Sequence, residues 1–185
     1  MIHDQSLVDQ LSALPFERFE GEVFRATGVA TDPLASSVNG GRWAPRAEDG
    51  ADVPTLYTSL ERDGALAEVV SYLAMLTPLP SRPLKISRLG VSTAKTLRLV
   101  RASLESLGVD MAHYGERDYG RTQSIGAALA FLGLDGPIAP SARWACDNLM
   151  IYTFNHLMNE RLEVIEAEQV EWGAWARAHG FIGDA

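Results

Sequence analysis

Apolar residues occur along this chain in short runs whose spacing alternates between helical and extended periods. Leu7, Val8, Leu11 and Leu14 fall on one side of a short amphipathic helix over 4–14. Residues 19–27, FEGEVFRAT, read as extended, and residues 55–58, TLYT, as a short strand. A helix is expected directly after it. Thr58 and Glu61 stand at capping-box spacing, Leu66, Val69, Val70 and Leu73 make an apolar stripe, and Pro78 and Pro80 stop it. Residues 83–91 predict a strand, 95–100 another, and 102–107 a short helix. A helix over 121–132 is expected to bury Ile125, Leu129 and Leu132. Strands at 136–140 and 148–154 flank PSARWACD, and a strand at 162–166 and a helix at 169–179 close the chain.

Strands and helices do not strictly alternate, so the pattern predicts an α+β fold of mixed small sheets with flanking helices. No repeat or linker interrupts it, and one domain over 1–185 is expected. Between the first two strands, residues 28–50 are rich in Gly, Ser, Asp, Asn and Pro and read as a long loop. Loops of that length in a domain of this size are commonly functional or disordered.

Charge narrows the function. Lysine and arginine number 16 against 24 acidic residues, a net charge of −8. A sequence-independent nucleic-acid binder needs a basic face to displace phosphate counterions, and docking on an anionic membrane needs the same. Neither is expected, although a local basic pocket for a small anion is compatible with an acidic whole. The single cysteine, Cys146, allows no internal disulfide and reads as a small packed residue in a reducing compartment. Met1-Ile2-His3-Asp4-Gln5 lacks the character of a secretory signal, and no apolar run is long enough to span a bilayer, so a cytoplasmic location is expected. His3, His113, His156 and His179 are scattered, and no metal site is predicted.

Five places carry candidate chemistry. Arg25 shares a face of its strand with Val23, so its guanidinium must meet an anion, several acceptors, or a structural ion-pair partner. Asn39-Gly40-Gly41-Arg42-Trp43 closes the long loop. Two glycines permit close backbone approach, and a guanidinium and an indole suit a phosphate and a flat ring. The same residues also suit a tight turn with Trp43 in the core. Tyr57 lies in a strand beside a helix start. Glu68 lies opposite the apolar stripe of its helix, toward water or a cleft. Ser141, in Pro140-Ser141-Ala142-Arg143, can donate to a ligand or cap a turn, and is not in a nucleophile elbow.

Taken in order, Phe24-Arg25, Gly40-Gly41-Arg42-Trp43, Leu56-Tyr57, Ala65-Leu66-Ala67-Glu68-Val69, Thr122-Gln123-x-Ile125-Gly126 and Pro140-Ser141-Ala142-Arg143 resemble the RES-domain family over about 22–155. The resemblance implies that Arg25, Glu68 and Ser141 are the family's characteristic arginine, glutamate and serine. It implies a fold similar to the ADP-ribosyltransferase toxins and NAD⁺ as substrate, with no cofactor or metal. It also implies a toxin role beside an Xre-like antitoxin. The implied catalytic set is Arg25, Tyr57, Glu68 and Ser141. The implied NAD⁺ contacts are Arg25, Gly41, Arg42, Trp43, Tyr57 and Ser141. The acceptor of ADP-ribose is water or phosphate, or alternatively a protein side chain. A non-catalytic module in which Arg25 and Glu68 form an ion pair is the further alternative. Two departures stand out: Ala44 occupies a position where the family often has asparagine, and RWACDN carries a bulky Trp144. The helix at 4–14 and the segment 162–181 lie outside the motifs.

Overall fold

The computed structural model describes residues 4–46 and 52–183. The predicted residues 47–50 of the long loop lie outside the described residues. The elements are α1 (Gln5–Ser12), β1 (Glu17–Gly28), β2 (Thr55–Ser59), α2 (Arg62–Leu73), β3 (Leu84–Arg98), α3 (Arg101–Ser106), α4 (Gly120–Phe131), β4 (Gly136–Pro140), β5 (Asp147–Tyr152), β6 (Leu162–Val170) and α5 (Trp172–Ala178). The fold is a mixed sheet with flanking helices, as predicted, but the strands join in one six-stranded sheet rather than several small ones.

The pairings close on themselves. β1 lies antiparallel to β3 from Glu17 opposite Thr96 to Gly28 opposite Leu84, and meets β2 through Phe24 and Ser59. β2 pairs with β5, β5 with β4, and β4 runs parallel to the end of β3 through Thr96–Arg98. The ring β1–β2–β5–β4–β3 is thus complete, and β6 adds along the first half of β3. Val23, Leu56, Leu89, Val91, Ile138, Leu149 and Ile151 form one apolar cluster. A second, larger cluster joins Leu7, Val8 and Leu11 of α1 to Ile125 and Leu129 of α4. The N-terminal helix therefore caps the core through the stripe its spacing predicts, with Asp4 accepting the amide of Ser6 at its start.

Four expectations are corrected. The segments 83–91 and 95–100 are one strand, because the buried carboxylate of Asp135 accepts the amides of Ala94 and Lys95 at 2.8 and 2.7 Å where the ladder is irregular. The strand after 162 runs on to Val170, which delays the last helix to Trp172. Thr58 does not cap α2: it lies within β2, its hydroxyl donates to the carbonyl of Leu149, and Glu61 holds the cap position without a side-chain bond. Leu132 is only partly buried, at the end of α4. Among the described residues no helix is long and apolar enough to cross a membrane.

Helix α4 fixes the long loop. The amide of Gln123 donates to the carbonyl of Gly41 at 2.9 Å, and the hydroxyl of Tyr152 donates to that of Trp43 at 3.3 Å. Gly126 lies directly under this loop. A Cβ there would stand 2.7 Å from the carbonyl carbon of Trp43, which is backbone and cannot swing aside. Alanine gains about 1 kcal/mol of helix propensity over glycine, whereas overpacking against backbone costs about 1–3 kcal/mol. Gly126→Ala is therefore expected to lower stability despite improving the helix, measured as a lower denaturant midpoint at unchanged slope.

Candidate active site

One cleft of about 390 Å³ gathers the sequence candidates, a size suited to a small-molecule ligand. Phe24 and Arg25 come from β1, Gly40 to Trp43 from the long loop, Tyr57 and Ser59 from β2, Glu68 and Tyr72 from α2, and Asn148 from β5. Arg117 and Tyr119, ahead of α4, complete one wall. Ser141 stands just behind, its neighbours Pro140 and Ala142 lining the cleft.

Glu68 is the most constrained group. Its Oε1 accepts the hydroxyl of Ser141 at 2.7 Å and the side-chain amide of Asn148 at 2.8 Å. Ser141 Oγ in turn accepts the backbone amides of Arg143 at 3.0 Å and Trp144 at 3.2 Å. Of the two alternatives for Ser141, the turn cap is the one seen: it caps the turn after β4, and its proton goes to the glutamate instead of a ligand. Asn148 was not singled out from sequence. It faces Ser59 across the β2–β5 ladder, and only that register carries it to Glu68.

Arg25 does not pair with Glu68. Its guanidinium donates to the carbonyl of Pro33 at 2.9 Å, and among the described residues it has no salt bridge. Burial makes its charge costly and lowers its pKa, with Asp32 partly offsetting the loss. Arg42 lies between two phenol rings, its Cζ 4.6 Å from the centroid of Tyr114 and 4.7 Å from that of Tyr119. It also donates to the carbonyl of Glu116 at 3.1 Å. Burial lowers its pKa too, against the attraction of both tyrosines and Glu68. Nothing local in the sequence links Tyr114 or Tyr119 to Arg42, 70 positions and more away.

The diglycine has two separate uses. Gly40 adopts a left-handed conformation, with φ of 75°. Gly41 opens a turn in which its amide bonds the carbonyl of Ala44, and it leaves room for Tyr57: a Cβ on Gly41 would lie 2.5 Å from the tyrosine oxygen. Burial raises the Tyr57 pKa, so the phenol stays neutral. Trp43 is almost wholly buried in the core, which makes it a scaffold for the loop more than a ring offered to a ligand. Cys146 packs against Ser59, its Sγ 3.2 Å from the hydroxyl, and burial pushes its thiol up. Among the described residues no group of three or more histidine, cysteine or acidic side chains is placed to hold a metal.

The RES domain family model matches residues 22–173. The chain belongs to the RES domain family. No curated relative matches the chain. Among solved structures, this RES domain is similar to a chain in the crystal structure of the M. tuberculosis MbcT–MbcA toxin–antitoxin complex. The TM-score is 0.81 at 18% identity, over 96% of this chain and 98% of that one. The fold is therefore shared nearly end to end, beyond the 22–155 span of the motifs.

The buried phenols give a pH signature. Burial raises the Tyr114 pKa to about 12, against a smaller opposing pull from Arg42. Its hydroxyl donates to the carbonyl of Pro140 at 2.8 Å. A phenol whose pKa is higher folded than unfolded contributes stability that is complete below pH ~10 and is lost as pH rises through the folded value. At about 1.4 kcal/mol per unit, Tyr114 accounts for about 2–3 kcal/mol of that loss. Urea titrations between pH 10 and 12 should show steep destabilisation in the wild type and a shallower slope in Tyr114→Phe. Equal slopes would remove Tyr114 from the explanation.

Proposed function

We propose that this RES domain cleaves the nicotinamide–ribose bond of NAD⁺, by hydrolysis or phosphorolysis, and acts as a toxin held in check by an Xre-like antitoxin. One observation carries the reading: Arg25 and Glu68 line the same cleft without pairing to each other. Elsewhere Arg18, Arg62, Arg88, Arg98 and Arg161 are matched to carboxylates. The arginines of the cleft, Arg25, Arg42 and Arg117, have no salt bridge among the described residues and present cationic donors in a chain that is acidic overall. A pyrophosphate suits such donors through charge-assisted hydrogen bonds. The Arg25–Glu68 ion pair that the non-catalytic alternative invokes is not formed: Arg25 bonds Pro33, and Glu68 bonds Ser141 and Asn148.

The chemistry follows from the leaving group. Nicotinamide departs as a neutral ring from a cationic one, taking the bonding electron pair and leaving an oxocarbenium-like ribose. The Glu68 carboxylate stands to stabilise that positive charge and to accept a ribose hydroxyl. It is oriented beforehand by Ser141 and Asn148 on its other oxygen, so no reorganisation is needed at the moment of reaction. Tyr57 lines the cleft, and its ring is the group we assign to the nicotinamide. Water or phosphate then adds to the ribose carbon and gives up a proton. The toxin role rests on family membership and on the fold shared with a chain of a toxin–antitoxin complex.

The test is incubation of purified protein with NAD⁺, with and without phosphate. Nicotinamide is expected together with ADP-ribose, or with ADP-ribose 1″-phosphate when phosphate is present. Intact NAD⁺ under both conditions overturns the reading, and a labelled protein band from a lysate supplied with labelled NAD⁺ would move it to ADP-ribosyl transfer. Glu68→Gln keeps an acceptor for Ser141 and Asn148 but removes the charge, and should reduce turnover about 10²–10³-fold with the fold intact. Arg25→Ala should weaken NAD⁺ binding about 10–100-fold by calorimetry, the loss of a charge-assisted bond or two. Unchanged affinity would mean that Arg25 does not touch the substrate.

A further inference from the structure

The turn that presents Ser141 to Glu68 does not stand on its own. Its amides are spent inward: Ser141 N–H donates to the carbonyl of Cys146 at 2.8 Å, and those of Arg143 and Trp144 go to Ser141 Oγ. The turn also carries the Trp144 indole. That indole packs against two residues of the C-terminal segment, Trp175 at 5.6 Å between ring centroids and His179 at 5.3 Å. Trp175 and His179 are stacked at 4.3 Å, and Trp175 stacks on Phe181 at 5.4 Å. Trp144 therefore lies against a preassembled aromatic stack.

The same Trp175 also holds the helix that carries Glu68. Its indole N–H donates to the carboxylate of Asp63, in the first turn of α2, at 3.1 Å. Trp172 and Ala176 of α5 are buried with Leu66 and Val70 on either side of Glu68 in sequence. One short helix thus braces both partners of the Ser141–Glu68 hydrogen bond, one through Trp144 and the other through Asp63. Trp175 and His179 lie past the residues that the family model matches.

We infer that α5 is a positioning element for the active site, in which Trp175 and His179, acting through Trp144, set the distance between Ser141 and Glu68. The inference rests on Glu68 being the charge-stabilising group in NAD⁺ cleavage. A brace of this kind works on the reacting geometry more than on substrate capture, because Arg25 and Arg42 are on other elements. A displacement of about 1 Å at such a group costs up to about 100-fold in rate.

The test measures kcat and KM for NAD⁺ in the full chain. Trp144→Ala is expected to lower kcat about 10–100-fold with KM within about twofold, and Trp144→Phe to recover most of the loss by keeping an aromatic contact. In a Ser141→Ala background the Trp144→Ala change should cost little more, since the bond it maintains is already gone. Independent losses that simply multiply would assign Trp144 a general structural role and overturn the inference. If Trp144→Ala fails to fold, His179→Ala decides: His179 is exposed, so its removal spares the core and should still lower kcat severalfold. An unchanged kcat in that variant overturns the brace. Wild-type protein that leaves NAD⁺ intact refutes the activity itself. In that case hydrogen exchange at the Arg143 and Trp144 amides, faster in His179→Ala if α5 braces the turn and unchanged if it does not, judges the brace separately.

Discussion

The carboxylate of Glu68 is held at one oxygen by two donors, Ser141 from the turn after β4 and Asn148 from β5, and the fold around the cleft depends on keeping those three side chains together. A glutamate on a solvated helix face would sample many rotamers. Here the hydroxyl of Ser141 and the amide of Asn148 restrict it, at the entropic cost of ordering a flexible side chain. What offsets that cost is the stiffness of the surroundings. β5 supplies Asn148 from the interior of a closed ring of strands, and the Ser141 turn satisfies its own amides before it donates.

A second constraint is electrostatic. The chain carries eight more acidic than basic side chains. Arg88 and Arg98 of β3 pair with acidic residues of β1 and β6 at partly exposed positions, where such pairs contribute little to stability. The cleft departs from this habit. Arg42 is stabilised by two tyrosine faces and Arg25 by a carbonyl, which hold the cations in place without neutralising them. A guanidinium retained in that way keeps its charge for an anionic ligand, whereas a structural carboxylate would consume it. The burial that lowers both pKa values reflects the cost of this arrangement, and an anion in the cleft would reverse it.

The long loop shows how a scaffold and a site share residues. Gly41, Arg42 and Trp43 all border the cleft, but the Trp43 side chain is buried in the core, and Gln123, Gly126 and Tyr152 clamp the loop backbone. The order Thr122-Gln123-x-Ile125-Gly126 thus has a packing reason. Gln123 is needed for two loop carbonyls and Gly126 for the space beneath them, so a motif that looks functional in sequence serves the site at second hand.

Much was legible in the chain itself. Helical spacing at Leu7, Val8 and Leu11 determined the N-terminal cap, and most elements lie where the periodicity put them, because one apolar face per element is a local property. The ordered motifs pointed to Arg25, Glu68 and Ser141, and the structure brings Arg25 and Glu68 to one cleft with Ser141 bonded to Glu68. Long-range pairing was not legible. Whether 83–100 made one strand or two depended on Asp135, some 40 residues away, accepting two amides. Asn148 and Tyr119 at the cleft, and Tyr114 against Arg42, were invisible in the sequence because only β2–β5 register and loop packing bring them there. Trp144 had no place until α5 folded back against it. Residue chemistry and local period are written in the sequence. Which side chains meet is decided by strand register and helix docking, since those contacts join positions that no local pattern relates.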